Sequence, residues 1–153
     1  MIYQGYLPIA TISKITATDI PNFSTVTNMQ EMFRECQSIT EIPNIDKWSV
    51  GKVTDMSQMF FNASSFNGDL SKWNTSKVTR MDKMFQNATS FNQDISRWDV
   101  RQVYDMRSMF NGATSFNQNL ERWVLKDGVE LKDIFTNSGM SPKNTTKFPH
   151  RSR

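Results

Sequence analysis

The side chains with the most chemical capacity in this sequence come back at a fixed interval. A cation stands immediately before each of the four tryptophans, as Lys47, Lys72, Arg97 and Arg122. Such a column could receive an anionic partner, or face solvent beside acids such as Asp46, Asp69, Asp94 and Glu121. Arg80 and Lys83 are two more cations between recurring apolar residues. The paired thioethers of Met-x-x-Met-Phe could ligate a soft metal, the tryptophans could line a strip for sugars or peptides, and Asp69 with Asp94 could hold calcium. Leu131 and Ile134 replace the methionine pair in the last copy, which points to apolar packing and to no metal. No Gly-rich calcium-binding repeat accompanies the two aspartates. Catalysis has little to stand on: the single histidine is His150, and Cys36 takes a position held by Ala63, Ala88 and Ala113 in later copies. There is no G-x-S-x-G and no phosphate-cradling glycine loop. The expectation is a protein with no catalytic residue, no cofactor and no metal.

What positions these groups is a 25-residue period. Trp48, Trp73, Trp98 and Trp123 keep that step, as do Phe60, Phe85, Phe110 and Phe135, and Phe66, Phe91 and Phe116. Met56, Met81 and Met106 keep it too, with Met59, Met84 and Met109 three residues after each. An earlier copy holds Met29, Met32 and Phe33; the two extra residues before its successor fall in "ITEIPNIDKW". These anchors form the expected core, because one unit cannot bury its Met-Phe and Trp faces alone and stacking makes them continuous. Met56, Met59 and Phe60 at i, i+3 and i+4 predict one face of a short helix, with Thr54 or Asp55 before it as N-cap. "GDLSKW" predicts a short strand ending in a bend. The column Asn67, Asn92 and Asn117 predicts amides bonded along the stacking axis.

The formal charge is +3, from 18 Lys+Arg against 15 Asp+Glu. Four of the cations, Lys143, Lys147, Arg151 and Arg153, lie after residue 140 with no acid among them. The body is therefore near neutral, which argues against a nucleic-acid-binding domain. One cysteine excludes an intramolecular disulfide, and the start of the chain reads as folded structure rather than as a signal peptide or membrane span.

The string "VTDMSQMFFNASSFNGDLSKWNTSKVTRMDKMFQNATSFNQDISRW" resembles the BspA-like leucine-rich repeat of mycoplasma and other bacterial surface proteins, which has protist and viral relatives. The likeness covers about residues 20–137. It implies a right-handed, leucine-rich-repeat-like solenoid of stacked coils, each a short parallel β-strand plus a short helix, four to five coils in all with terminal caps. It also implies adhesion or protein binding without catalysis. Surface members carry an export signal and an anchor, and this chain shows neither, so an intracellular or virion location stays open beside the cell surface.

The expected organisation is an N-terminal cap (1–25), repeats at about 26–52, 53–77, 78–102 and 103–123, a degenerate repeat and C-terminal cap (124–140), and a basic, flexible tail (141–153). The expected function is protein recognition or scaffolding, with adhesion to host or matrix ligands and a structural place in a large assembly as alternatives. Partners would be proteins met through Lys47, Lys72, Arg97, Arg122, Arg80 and Lys83, or through the ends and the tail with Phe148 as anchor.

Overall fold

The computed structural model describes residues 14–148. Tyr6, Leu7, Ile9 and Ile12 of the expected N-terminal cap, and His150, Arg151 and Arg153 of the tail, lie outside the described residues.

The expected coil of strand plus helix is not what the repeat forms. Among the described residues the only helical elements are a 3₁₀ turn at Ile45–Lys47 and a four-residue α-helix at Pro142–Thr145, and no strand is present. Parallel pairing is confined to isolated bridges, Asn28 to Asp55, Asp55 to Arg80, Arg80 to Asp105 and Asp105 to Glu130. The physical reason lies in two backbone positions per repeat. Gln58 and Asn62 have φ of 56° and 57°, and Lys83 with Asn87, Ser108 with Gly112, and Asp133 with Asn137 repeat the pair. A left-handed residue every fourth position cannot propagate a right-handed helix. Instead Met59 N–H donates to Met56 O (3.3 Å) and Ala63 N–H to Phe60 O (3.1 Å), two successive turns with the positive φ of type II at their third residues.

Met-x-x-Met-Phe thus presents an apolar face without being helical. Asp55 caps no helix; its Oδ1 accepts from Ser57 N–H (2.8 Å) and Oγ (2.6 Å). Nor does "GDLSKW" become a strand, since Trp73 N–H donates to Leu70 O (3.2 Å) in another tight turn.

The double turn leaves every second N–H pointing out of the repeat. Those of Met56, Gln58, Phe60 and Asn62 donate to the carbonyls of Arg80, Asp82, Met84 and Gln86 at 2.9–3.0 Å. The pattern recurs at each later junction and, shifted by the two-residue insertion, at the first. The backbone is thereby satisfied by the neighbouring repeat rather than by a local helix. Gly112 occupies the column of Asn62 and Asn87, and a Cβ there would run into Asn87 Oδ1 at a φ of +75°.

Side chains follow the same register. Phe33, Phe60, Phe85, Phe110 and Phe135 form one ring column with centroids 5.5–5.8 Å apart. Phe66, Phe91 and Phe116 form a second at 5.8–6.1 Å, and the two columns touch at 4.0–4.3 Å within each repeat. Trp48, Trp73 and Trp98 stack at 6.3–6.4 Å. Met29, Met32, Met56, Met59, Met81, Met84, Met106 and Met109 are sealed among them, none more than 2% exposed. Offset-stacked rings and adaptable thioethers fill this part of the interior, with branched aliphatics such as Val53, Leu70, Val78 and Ile95 buried beside them. Phe135, at the end of its column, is half-buried.

Two further sets of bonds tie repeat to repeat. The indole Nε1–H of Trp73, Trp98 and Trp123 donates to the carbonyls of Ile45, Leu70 and Ile95, each 28 residues earlier, at 2.8–3.0 Å. Asn92 N–H and Asn117 N–H donate to Asn67 Oδ1 and Asn92 Oδ1, both at 2.9 Å.

Residues 141–148 are not a loose tail. Ser141 N–H takes Asn117 Oδ1 (2.9 Å), as an asparagine of a further repeat would. Lys147 Nζ reaches the carbonyls of Leu120 (3.5 Å), Glu121 (2.7 Å) and Trp123. Phe148 sets its ring edge-on against Phe135 at 4.7 Å. Charge composition suggested flexibility; hydrogen bonds left open by the last repeat hold the segment instead.

Candidate functional site

With the rings and thioethers enclosed, chemistry is left to the polar outside. Lys47, Lys72, Arg97 and Arg122 are all exposed, each beside a tryptophan that is at most 4% exposed. The local turn explains the contrast. Asp69 Oδ1 and Asp94 Oδ1 accept from the N–H groups of Ser71 and Ser96, and Asn119 Oδ1 from that of Glu121, all at 2.9 Å. This Asx turn sends the cation outward one residue before the tryptophan turns in. The 3₁₀ turn at Ile45–Lys47 does the same in the copy that carries the insertion.

Among the described residues none of the four cations makes an ion pair. The acids beside them stay ionised: hydrogen bonds from Ser71 hold the Asp69 carboxyl below its usual range, helped by the charge of Lys72. Asp94 is lowered in the same way by Ser96, with Arg97 and Arg122 adding to it. Arg97 and Arg122 share a shallow recess of about 410 Å³ with Asp94, Gln118, Asn119 and Glu121. The face therefore alternates in sign, and its cations have no fixed partner.

Arg80 and Lys83 belong to a different face, where the structure joins them to Arg107 and Lys132 around a second recess of about 400 Å³. Arg80 is pinned to Asp82 by two 3.1 Å bonds and approaches Asp55 at 3.9 Å. Arg107 grips Asp105 through Nη2 (2.6 Å) and Nε (3.0 Å). The flanks of the first methionine position carry the signal for this face: Arg80 and Asp82, Asp105 and Arg107, and Glu130 and Lys132 each pair a cation with an acid, the order reversing after the first of them, while Asp55 stands opposite the neutral Ser57. Reading for the period of the apolar residues alone passes over these flanking pairs, and so misses Arg107 and Lys132.

Burial pushes the Asp105 carboxyl up, but its bonds to Arg107 outweigh that and hold it below its ordinary 3.8. A depressed carboxyl contributes stability above its unfolded value and loses it as pH falls through the folded value. The melting temperature is thus expected to drop on acidification below about pH 4, with a shallower drop in Asp105→Asn. Equal slopes in the two acid titrations would show that this pair contributes nothing.

Phe148, expected to anchor a neighbour, is 7% exposed and committed to Phe135. It is not available in this conformation. Cys36 is buried, and burial, then the charge of Glu35, push its thiol up to about 11; a neutral, enclosed thiol is a poor nucleophile. Among the described residues no group of three or more His, Cys, Asp or Glu converges as a metal site. No helix among them is long and apolar enough to cross a membrane.

A family profile described as "Mycoplasma protein of unknown function, DUF285" matches residues 27–148, well over half of the chain. No curated protein and no solved structure matches it.

Proposed function

The chain belongs to the DUF285 family of mycoplasma proteins, and we propose that it is a non-enzymatic protein-recognition or scaffolding module. In this reading the interior is scaffold and the exposed cations do the recognising. The observation that carries it is the column Lys47, Lys72, Arg97 and Arg122, presented once per repeat and free of ion pairs among the described residues. Holding four long cationic side chains at a regular pitch favours a partner that offers several carboxylates in sequence, because multiple weak contacts add without each ordering a new segment. The likeness of the 25-residue unit to the BspA-like repeat supports the same reading, and favours adhesion to a host or matrix protein as its second form. Among the described residues the one thiol, Cys36, is buried and neutral, which fits a binder.

The test is the pair Lys72→Glu and Arg97→Glu, assayed against the protein that co-purifies most strongly with the chain from its native source. Affinity should fall by about tenfold or more and lose most of its salt dependence, as expected when steering charges are reversed. The melting temperature should stay within about 2 °C, because exposed substitutions away from special features change little. Binding unaltered in a folded double variant removes the column from recognition.

A further inference from the structure

The repeats are not equally far apart all the way round the coil. At each junction four alternate backbone N–H groups clamp one double turn to the next at 2.7–3.1 Å, which holds the two chains about 4.8 Å apart there, as in a sheet. Elsewhere the rings measure the step, because equivalent rings lie within 14° of parallel from one repeat to the next. The column through Phe60 advances by 5.5–5.8 Å and that through Phe66 by 5.8–6.1 Å. From Trp48 to Trp73 to Trp98 the steps are 6.3 and 6.4 Å.

The widening has a cause in the bonding. Among the described residues no backbone–backbone bond joins 68–77 or 93–102 to another repeat; indole N–H groups span the gap on that side instead. Phe85 faces Trp98 across the interior at 6.3 Å, so the tryptophans stand opposite the clamp. The stack is therefore bowed, closed on the side of the double turns and fanned open on the side of the tryptophans. Lys47, Lys72, Arg97 and Arg122 are exposed outside those buried rings, where the step is no smaller than the rings' own.

That step selects among the shapes an acidic partner can take. One face of an α-helix offers a residue per turn at about 5.4 Å and falls behind the column by about 1 Å at each contact. Alternate residues of an extended chain stand on one face about 6.6–6.8 Å apart and stay within about 0.5 Å of the column at each contact. The protein's own acids sharpen the selection. Asp69 and Asp94 are held by Ser71 and Ser96 between successive cations, so a carboxylate placed between the contacts meets like charge, whereas the intervening side chains of an extended segment point away.

Building on the recognition function above, we propose that the column receives an extended segment of a partner protein with an acidic residue at every second position. The convex, tryptophan-backed side of the stack is then the docking face, and the bridged side opposite it is not.

Three blocked peptides with four glutamates each test this against the full chain, by calorimetry at low ionic strength: one alternating glutamate with threonine, its isomer with the glutamates contiguous, and an alanine-rich helical peptide with one glutamate per turn. The alternating peptide should bind about fivefold tighter or more than either of the others, since four weak contacts add only when all are met at once. Lys72→Glu with Arg97→Glu should abolish that preference while the tryptophan fluorescence stays that of the parent. A helical peptide that binds as tightly overturns the extended form, and a contiguous isomer that binds as tightly reduces the column to net charge. A sulfated polysaccharide that displaces the alternating peptide at a tenfold lower concentration of charge overturns it in favour of a carbohydrate polyanion. Equal binding of the three peptides, with the co-purifying partner still lost in the double variant, sinks the extended segment and leaves the recognition column standing, so the two failures are separable.

Discussion

Phe85→Ala is expected to lower the free energy of unfolding by about 3–5 kcal/mol, as for other buried phenylalanines. Phe85 has no exposed surface and lies mid-column, with Phe60 at 5.5 Å, Phe110 at 5.7 Å and Phe91 at 4.0 Å. Its loss opens a gap between neighbours that cannot close in, because backbone bonds on both sides fix the distance between repeats. Phe60 N–H to Met84 O and Phe85 N–H to Met109 O, both 2.9 Å, keep their places whatever the side chain. A cavity held open by its walls is the costly kind. Phe135→Ala makes the informative comparison: it removes the same atoms from a half-buried terminal ring, and should cost roughly half as much. Denaturant midpoints with matched slopes would measure both, and a Phe85 variant losing less than about 1.5 kcal/mol would refute a continuous, rigid column.

Trp98→Phe is expected to cost about 0.5–1.5 kcal/mol more than Trp48→Phe, the net worth of one hydrogen bond. Trp98 gives its indole N–H to Leu70 O at 2.9 Å, deep between two repeats. Phenylalanine keeps much of the ring contact and deletes that donor; Leu70 O keeps Trp73 N–H at 3.2 Å, so one bond is lost and no acceptor is stranded. Trp48 has an equally buried ring, 4% exposed, and an Nε1 without a partner, so its replacement breaks no bond. The difference between the two variants isolates the hydrogen bond from the shared loss of indole volume. Equal costs would mean that packing alone holds the tryptophan column.

Some of this is legible from spacing because identical residues in identical surroundings must stack on one another. Four copies of Met-x-x-Met-Phe, a fifth with Leu131 and Ile134 in the methionine places, and four tryptophans at one interval leave few ways to bury every aromatic, and the core columns follow. Strand and helix were the wrong local conformations for a physical reason: i, i+3, i+4 apolar spacing arises from a helix and also from two linked turns with left-handed third residues. Gln58, Lys83 and Ser108 are types that do not announce a positive φ, and the signal is left to Asp133 and to Asn62, Asn87, Gly112 and Asn137 at the second position. Only the neighbouring repeat, which supplies acceptors for every second N–H, makes that conformation favourable.

The functional surface divides along the same line. The sequence by itself determined the column Lys47, Lys72, Arg97 and Arg122, since a residue fixed one place before a buried tryptophan at each turn can only project outward. It also determined the near-neutral body and the absence of a disulfide. The tertiary structure alone decided that Arg80 and Lys83 share a recess with Arg107 and Lys132, and that Phe148 turns back onto its own chain. Those contacts join different repeats, or join the tail to carbonyls left open by the last repeat, and periodicity specifies each repeat's interior without specifying what satisfies its ends.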